Sequence, residues 1–152
     1  MRRHDPVLGE LDLHLFGEGR HRRLYEVLGA HVAGPADQRG VRFAVWAPNA
    51  RSVAVTGDFC DWDPQRHRLR CLGDSGVHES FVAGVAEGAL YKFVVEGADG
   101  VVRWKSDPLG QAMERPPGTA SRVFRSRYHW RDSDWMEQRP GRDWHREPMS
   151  VY

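Results

Sequence analysis

The chain has 152 residues, and its 22 basic and 21 acidic side chains leave a formal charge of +1 with histidine neutral, so no strong field marks it for nucleic acid or an anionic membrane. Its hydrophobic fraction of 40% is broken throughout by charges, enough for one core but with no apolar run near the roughly 20 residues that a membrane helix needs. The opening Met1-Arg2-Arg3-His4-Asp5-Pro6 leads into no apolar stretch or cleavage site, so no secretory signal is legible and a cytoplasmic location is the expectation.

Three zones follow in chain order. Residues 1–34 form a lead-in in which Leu, Tyr and Val alternate irregularly with Gly, Glu and Arg, too poorly for a confident helix or strand. Residues 35–124 form the domain. There Val41, Phe43 and Val45 alternate with Arg42 and Ala44, Val53 and Val55 with Ala54 and Thr56, and Tyr91, Phe93 and Val95 with Lys92 and Val94. A period of two places one face of each strand in a core. Further strands are expected over 68–72, 77–83 and 119–124, with Gly73-Asp74-Ser75-Gly76 as a turn. Asp99-Gly100 reads as a two-residue hairpin turn with positive φ at both positions. Seven short strands without a long helix predict an all-β sandwich. Residues 125–152 turn polar and tryptophan-rich, with Pro140-Gly141 as a breaker and at most one short helix over 134–139.

Residue types narrow the chemistry. Lys92 and Lys105 are the two lysines in a chain with twenty arginines, so runs such as Arg20-His21-Arg22-Arg23 read as solvated background charge, and each lysine is the more informative. Cys60 and Cys71 read as free thiols. Together with His67 they lack a C-x-x-C pair and a fourth ligand, so neither a metal nor a cofactor is expected. No catalytic residue is expected either. There is no G-x-S-x-G elbow or phosphate loop, and Gly17-Glu18-Gly19 is followed by Arg22 where a dinucleotide fingerprint needs glycine. Asp58, Asp61 and Asp63 lack the glycine and terminal glutamate of a calcium loop and read as turn formers.

The aromatic set stands out. Trp62 lies in Gly57-Asp58-Phe59-Cys60-Asp61-Trp62-Asp63, a turn bracketed by charges, and Trp104 lies just before Pro108. An exposed indole suits the C–H face of a sugar ring as well as a protein surface. Lys92, on the face opposite Tyr91 and Phe93, is placed to donate hydrogen bonds to hydroxyls. Spacing alone favours the plainer role for both indoles, capping the sandwich edge or docking on another domain.

The string Val41-Arg42-Phe43-Ala44-Val45-Trp46-Ala47-Pro48-Asn49-Ala50, then Val53-Ala54-Val55-Thr56-Gly57-Asp58-Phe59, Asp61-Trp62, Leu90-Tyr91-Lys92-Phe93 and Lys105-Ser106-Asp107-Pro108, closely resembles the N-terminal region of bacterial 1,4-α-glucan (glycogen) branching enzymes, a family 48 carbohydrate-binding module. The likeness extends to Asp12-Leu13-His14-Leu15-Phe16-Gly17 in the lead-in and to Pro148-Met149-Ser150-Val151-Tyr152 in the tail. It implies an immunoglobulin-like sandwich and an α-1,4-glucan contact surface on Trp62, Lys92 and Trp104, with Thr119 and Ser121 as hydroxyl neighbours. In such enzymes a catalytic (β/α) barrel follows the segment that ends this sequence, and it carries the carboxylates of α-glucan transfer. By itself the chain is therefore expected to bind or position glucan without branching it. The alternative is an interaction domain that docks on a separately encoded barrel and restores branching in trans. The tail, with Trp130, Trp135 and Trp144, is expected to pack on that barrel.

Overall fold

The computed structural model describes residues 8–35, 38–143, 146, 148 and 150. Its strands are β1 (Gly29–Ala33), β2 (Gly40–Trp46), β3 (Ala50–Gly57), β4 (His67–Arg68), β5 (Arg70–Cys71), β6 (Val77–Ala83), β7 (Leu90–Gly97), β8 (Val102–Lys105), β9 (Ala112–Met113) and β10 (Ser121–Arg122). Helices α1 (Glu10–Gly17) and α2 (Ser133–Gln138) flank them. One sheet runs β1-β2-β6-β5, and the other runs β4-β3-β7-β10-β9 with β8 also paired to β7. All pairings are antiparallel. This is the all-β sandwich that the alternation predicts, in the immunoglobulin-like form that the resemblance implies.

The core lies between the sheets. Val41, Phe43 and Val45 of β2 meet Val53 and Val55 of β3 and Tyr91 and Phe93 of β7, with Val82 and Val123 closing the cluster. Phe43 sits edge-on to Tyr91 at 5.0 Å between centroids, a geometry that aligns the positive ring edge with the negative face.

Several expectations change. The lead-in is not irregular, because α1 and β1 lie within it, and the sandwich begins at Gly29 rather than at residue 35. An eight-residue helix is marginal in isolation, so its pattern is faint without a tertiary partner. That partner is the outer face of the smaller sheet, where Ala44 and Val77 pack under Leu13, Phe16, Leu24 and Leu28. β2 is thereby buried on both faces rather than one. The strand expected over 68–72 splits, since Leu69 turns into the core and the chain crosses from β3 to β6 as two short strands. Only Ser121 and Arg122 pair as a strand within 119–124. The hairpin joins β7 to β8, but of its two turn residues only Gly100 takes positive φ (75°). Asp99 instead uses its carboxylate to accept from the Val101 N–H (3.0 Å) and from Arg103, and these bonds hold it well below the usual carboxylate range, at about 2. Trp144, Met149, Val151 and Tyr152 lie outside the described residues.

One buried polar knot ties the second half of the chain together. The Tyr91 hydroxyl donates to Asp107 Oδ2 at 2.5 Å, the Leu109 N–H donates to Asp107 Oδ1 at 2.8 Å, and the Asp107 N–H donates to Ser121 Oγ at 2.8 Å. Burial pushes the Asp107 carboxyl up, against the opposing pull of the Tyr91 and Leu109 bonds. A folded carboxyl raised above its unfolded value binds its proton more tightly in the native state, so its contribution to stability is present at low pH and is lost as pH rises through the folded value. Tyr91→Phe removes the donor and raises the carboxyl further. The expected result is a loss of about 2–3 kcal/mol at pH 7, shrinking towards pH 4 as the carboxyl protonates, read from denaturant unfolding at the two pH values.

Candidate functional site

The face of β7 turned away from the core carries Lys92, Val94 and Glu96, because Tyr91, Phe93 and Val95 take the inner positions. Register builds rows across this outer face. Thr56 lies opposite Lys92; Ala54, Val94 and Trp104 lie abreast; Ser52, Glu96 and Val102 lie abreast. Val94 is only 7% exposed although it faces away from the core. Something must cover it, and Trp104 stands directly beside it.

Trp62 arrives from the end of β3. Gly57 approaches Leu90 so closely that an added Cβ would lie 2.1 Å from the Leu90 carbonyl oxygen, so only glycine fits there. A 3-10 turn over Asp58–Cys60 follows, and Asp61 and Trp62 both take positive φ (54° and 59°). Left-handed backbone is costly for a bulky residue, so the surrounding bonds must over-determine it. They do. The Trp62 N–H donates to the Gly57 carbonyl at 2.9 Å, the Asp63 N–H donates to the Cys60 carbonyl at 3.0 Å, and the buried Cys60 thiol donates to the Gly57 carbonyl at 3.5 Å. Asp58 closes the loop from outside by accepting the Leu90 N–H at 3.1 Å. Cys60, Gly57 and Asp58 are thus positioning residues. None of the three announces this role in the sequence, where Asp58 reads only as a turn former and Cys60 as a free thiol.

The outcome is a pair of indoles. The Trp62 and Trp104 rings lie 6.4 Å apart between centroids with planes inclined by 29°. Trp62 is half-buried, and Trp104 is 44% exposed. Beside them Lys92 Nζ donates to Thr119 Oγ1 at 2.6 Å, which leaves the ammonium two further N–H groups and the threonine its own O–H. Four of the five residues singled out in the sequence therefore gather on one face. Ser121 does not. It pairs with Tyr91 in register, so its side chain points inward; it is 0% exposed and its hydroxyl is held by Asp107 and Met113. A hydroxyl so placed reaches no external ligand.

Chemically, this face offers two flat apolar surfaces, an ammonium and a hydroxyl. Among the described residues no three His, Cys, Asp or Glu side chains gather closely enough to hold a metal ion. Cys60 is buried and Cys71 exposed, both as free thiols.

Residues 27–110 match the family described as carbohydrate-binding module 48 (isoamylase N-terminal domain). Over 97% of its length the chain is 54% identical to a 1,4-alpha-glucan branching enzyme of Rhodococcus jostii, and over 97% it is 51% identical to one of Pseudomonas aeruginosa. It spans only about a fifth of those relatives, 21% and 20% of their respective lengths. Among solved structures, a Klebsiella pneumoniae pullulanase complexed with maltotriose shares the fold at a TM-score of 0.52 and 22% identity, over 64% of this chain and 9% of that one. A pullulanase from Bacillus acidopullulyticus does so at 0.52 and 21%, over 64% of this chain and 12% of its own.

The close approach at Gly57 makes the indole geometry testable without any ligand. Gly57→Ala places a methyl group against Leu90 and against the Phe59 ring, 2.6 Å away. Overpacking of this kind costs about 1–3 kcal/mol. The variant is expected to unfold at lower temperature and to show shifted tryptophan emission in its folded state, since the Trp62 turn hangs from that glycine.

Proposed function

The chain belongs to the carbohydrate-binding module 48 family, and from that premise we propose that it binds α-1,4-glucan on the Trp62–Trp104 face, as the N-terminal module of a glycogen branching enzyme. The observation that carries this reading is the near-parallel indole pair with Lys92 and Thr119 beside it. Pyranose C–H faces stack on the rings, and the free N–H and O–H groups of the polar pair engage sugar hydroxyls. For these residues the reading is one of binding and positioning. An open face of this size binds weakly, and its value lies in effective concentration: a module resting on a polymer keeps a tethered catalytic domain near further chain segments.

A second reading is favoured by the tail. Tyr128, Trp130, Trp135 and Met136 are all exposed there, with Trp130 at 77%. The exposed side chains of Tyr128, Trp130 and Met136 suit docking against another folded body, and the proposed partner is a branching-enzyme barrel. Adding the chain to a separately produced barrel should raise the branching rate, and an unchanged rate would sink this second reading.

For the glucan reading, a titration of the full chain with maltoheptaose followed by intrinsic fluorescence is decisive. Saturable binding with Kd on the order of 0.1–1 mM is expected. Trp62→Ala and Trp104→Ala should each weaken it by at least about tenfold, while Lys92→Ala should cost roughly threefold to tenfold through the lost donor. Absence of binding at millimolar sugar would make the indoles architectural.

A further inference from the structure

Glu96 is the one charged group on the outer face of β7 that the indole pair and its polar neighbours do not use. It lies four residues from Lys92 on the same face, a separation of roughly 14 Å along an extended strand. Trp104 stands between them, opposite Val94. Trp62 enters at the Lys92 end, beyond the end of β3, and Trp104 lies two residues nearer Glu96. By strand register Trp104 therefore lies nearer than Trp62 to the row of Ser52, Glu96 and Val102.

That row has the makings of a sugar contact. Val102 presents an apolar surface that is 56% exposed. Glu96 Oε2 accepts the Ser52 hydroxyl at 2.9 Å, which orients the carboxylate and leaves most of its acceptor sites open. A cation stands close by but is committed elsewhere: Arg103, next to Val102, makes two bonds to Asp99 at 3.1 and 2.6 Å. Among the described residues Glu96 has no ion-pair partner.

We propose that the binding face continues past Trp104 onto this row, where the Glu96 carboxylate accepts hydrogen bonds from hydroxyls of α-glucan units beyond those stacked on the indoles. The inference rests on the glucan reading of the indole pair and extends it to chain length. An ammonium at one end and a carboxylate at the other make the face chemically asymmetric, so a glucan long enough to cover both ends meets donors first and acceptors last. A short oligosaccharide reaches only the rings and the Lys92–Thr119 pair.

The experiment is a titration of the full chain with maltotriose and with maltoheptaose, in the wild type, Glu96→Ala, Glu96→Gln and Trp104→Ala. Glu96→Ala is expected to weaken maltoheptaose binding by about fivefold to tenfold, the effect of losing a charged hydrogen-bond acceptor, and maltotriose binding by less than about twofold. Glu96→Gln, which can still accept through its amide oxygen and keep the Ser52 bond, should fall between the wild type and Glu96→Ala, and it serves where the alanine variant fails to fold. If Trp104→Ala abolishes binding while both Glu96 variants match the wild type for both sugars, the extension is wrong and the indole reading stands. Equal losses for the two sugars would also overturn it, since Glu96 would then act only by holding the sheet. If the wild type binds neither sugar, both readings fall together.

Discussion

The buried carboxylate of Asp107 is the constraint on which the proposed binding face depends. A charged oxygen pair taken out of water must find donors or the fold does not form, and here Tyr91 and Leu109 supply them. Each donor fixes a different piece. Tyr91 belongs to β7, the strand that carries Lys92, Val94 and Glu96. Leu109 belongs to the smaller apolar cluster beneath the lead-in helix. The Asp107 N–H in turn pins Ser121 on β10. Trp104 is three residues upstream of this knot, at the end of a strand otherwise held only by β7, so the direction in which its indole leaves the sheet is set from both sides.

The second constraint is local. Two consecutive residues with positive φ put Trp62 where the other ring can meet it, and the backbone there is held by Gly57, Cys60 and Asp58. Strain tolerated at a turn, with bonds around it to hold it, is typical of sites in which a side chain must stand at a particular angle. The inclination of 29° between the indoles follows from this turn on one side and from the strand register on the other. A ligand that stacks on both rings finds them already in place and meets little ordering cost on binding, which matters on an open face where little area is buried.

The sandwich and the indole pair were legible to different degrees. Alternation in 41–45, 53–56 and 91–95 marked the core strands because a period of two has no other common explanation. Trp62 and Trp104 stood out because a large ring in a charged turn, or just ahead of a proline, is out of place in a core. Helix α1 and strand β1 were hidden, since neither is stable without the smaller sheet to pack on or pair with. Ser121 misled for a related reason. It shares its spacing with Thr119, but only Ser121 is paired, and pairing with Tyr91 turns it inward while Thr119 remains in the preceding loop beside Lys92.

What the sequence determined by itself is the layer architecture, the inward faces of its central strands and the chemical types available for binding, because alternation and residue chemistry are local properties. What only the tertiary structure decided is which of those types share a surface. Trp62 and Trp104 are 42 positions apart in the sequence and Lys92 and Thr119 are 27 apart, and they meet because β3, β8 and β10 all pair with β7 in one sheet. Register is a cooperative property of whole strands, set by what the opposite face buries. The burial of Tyr91 and Phe93 on the inside is what brings Lys92, Trp104 and Glu96 together on the outside.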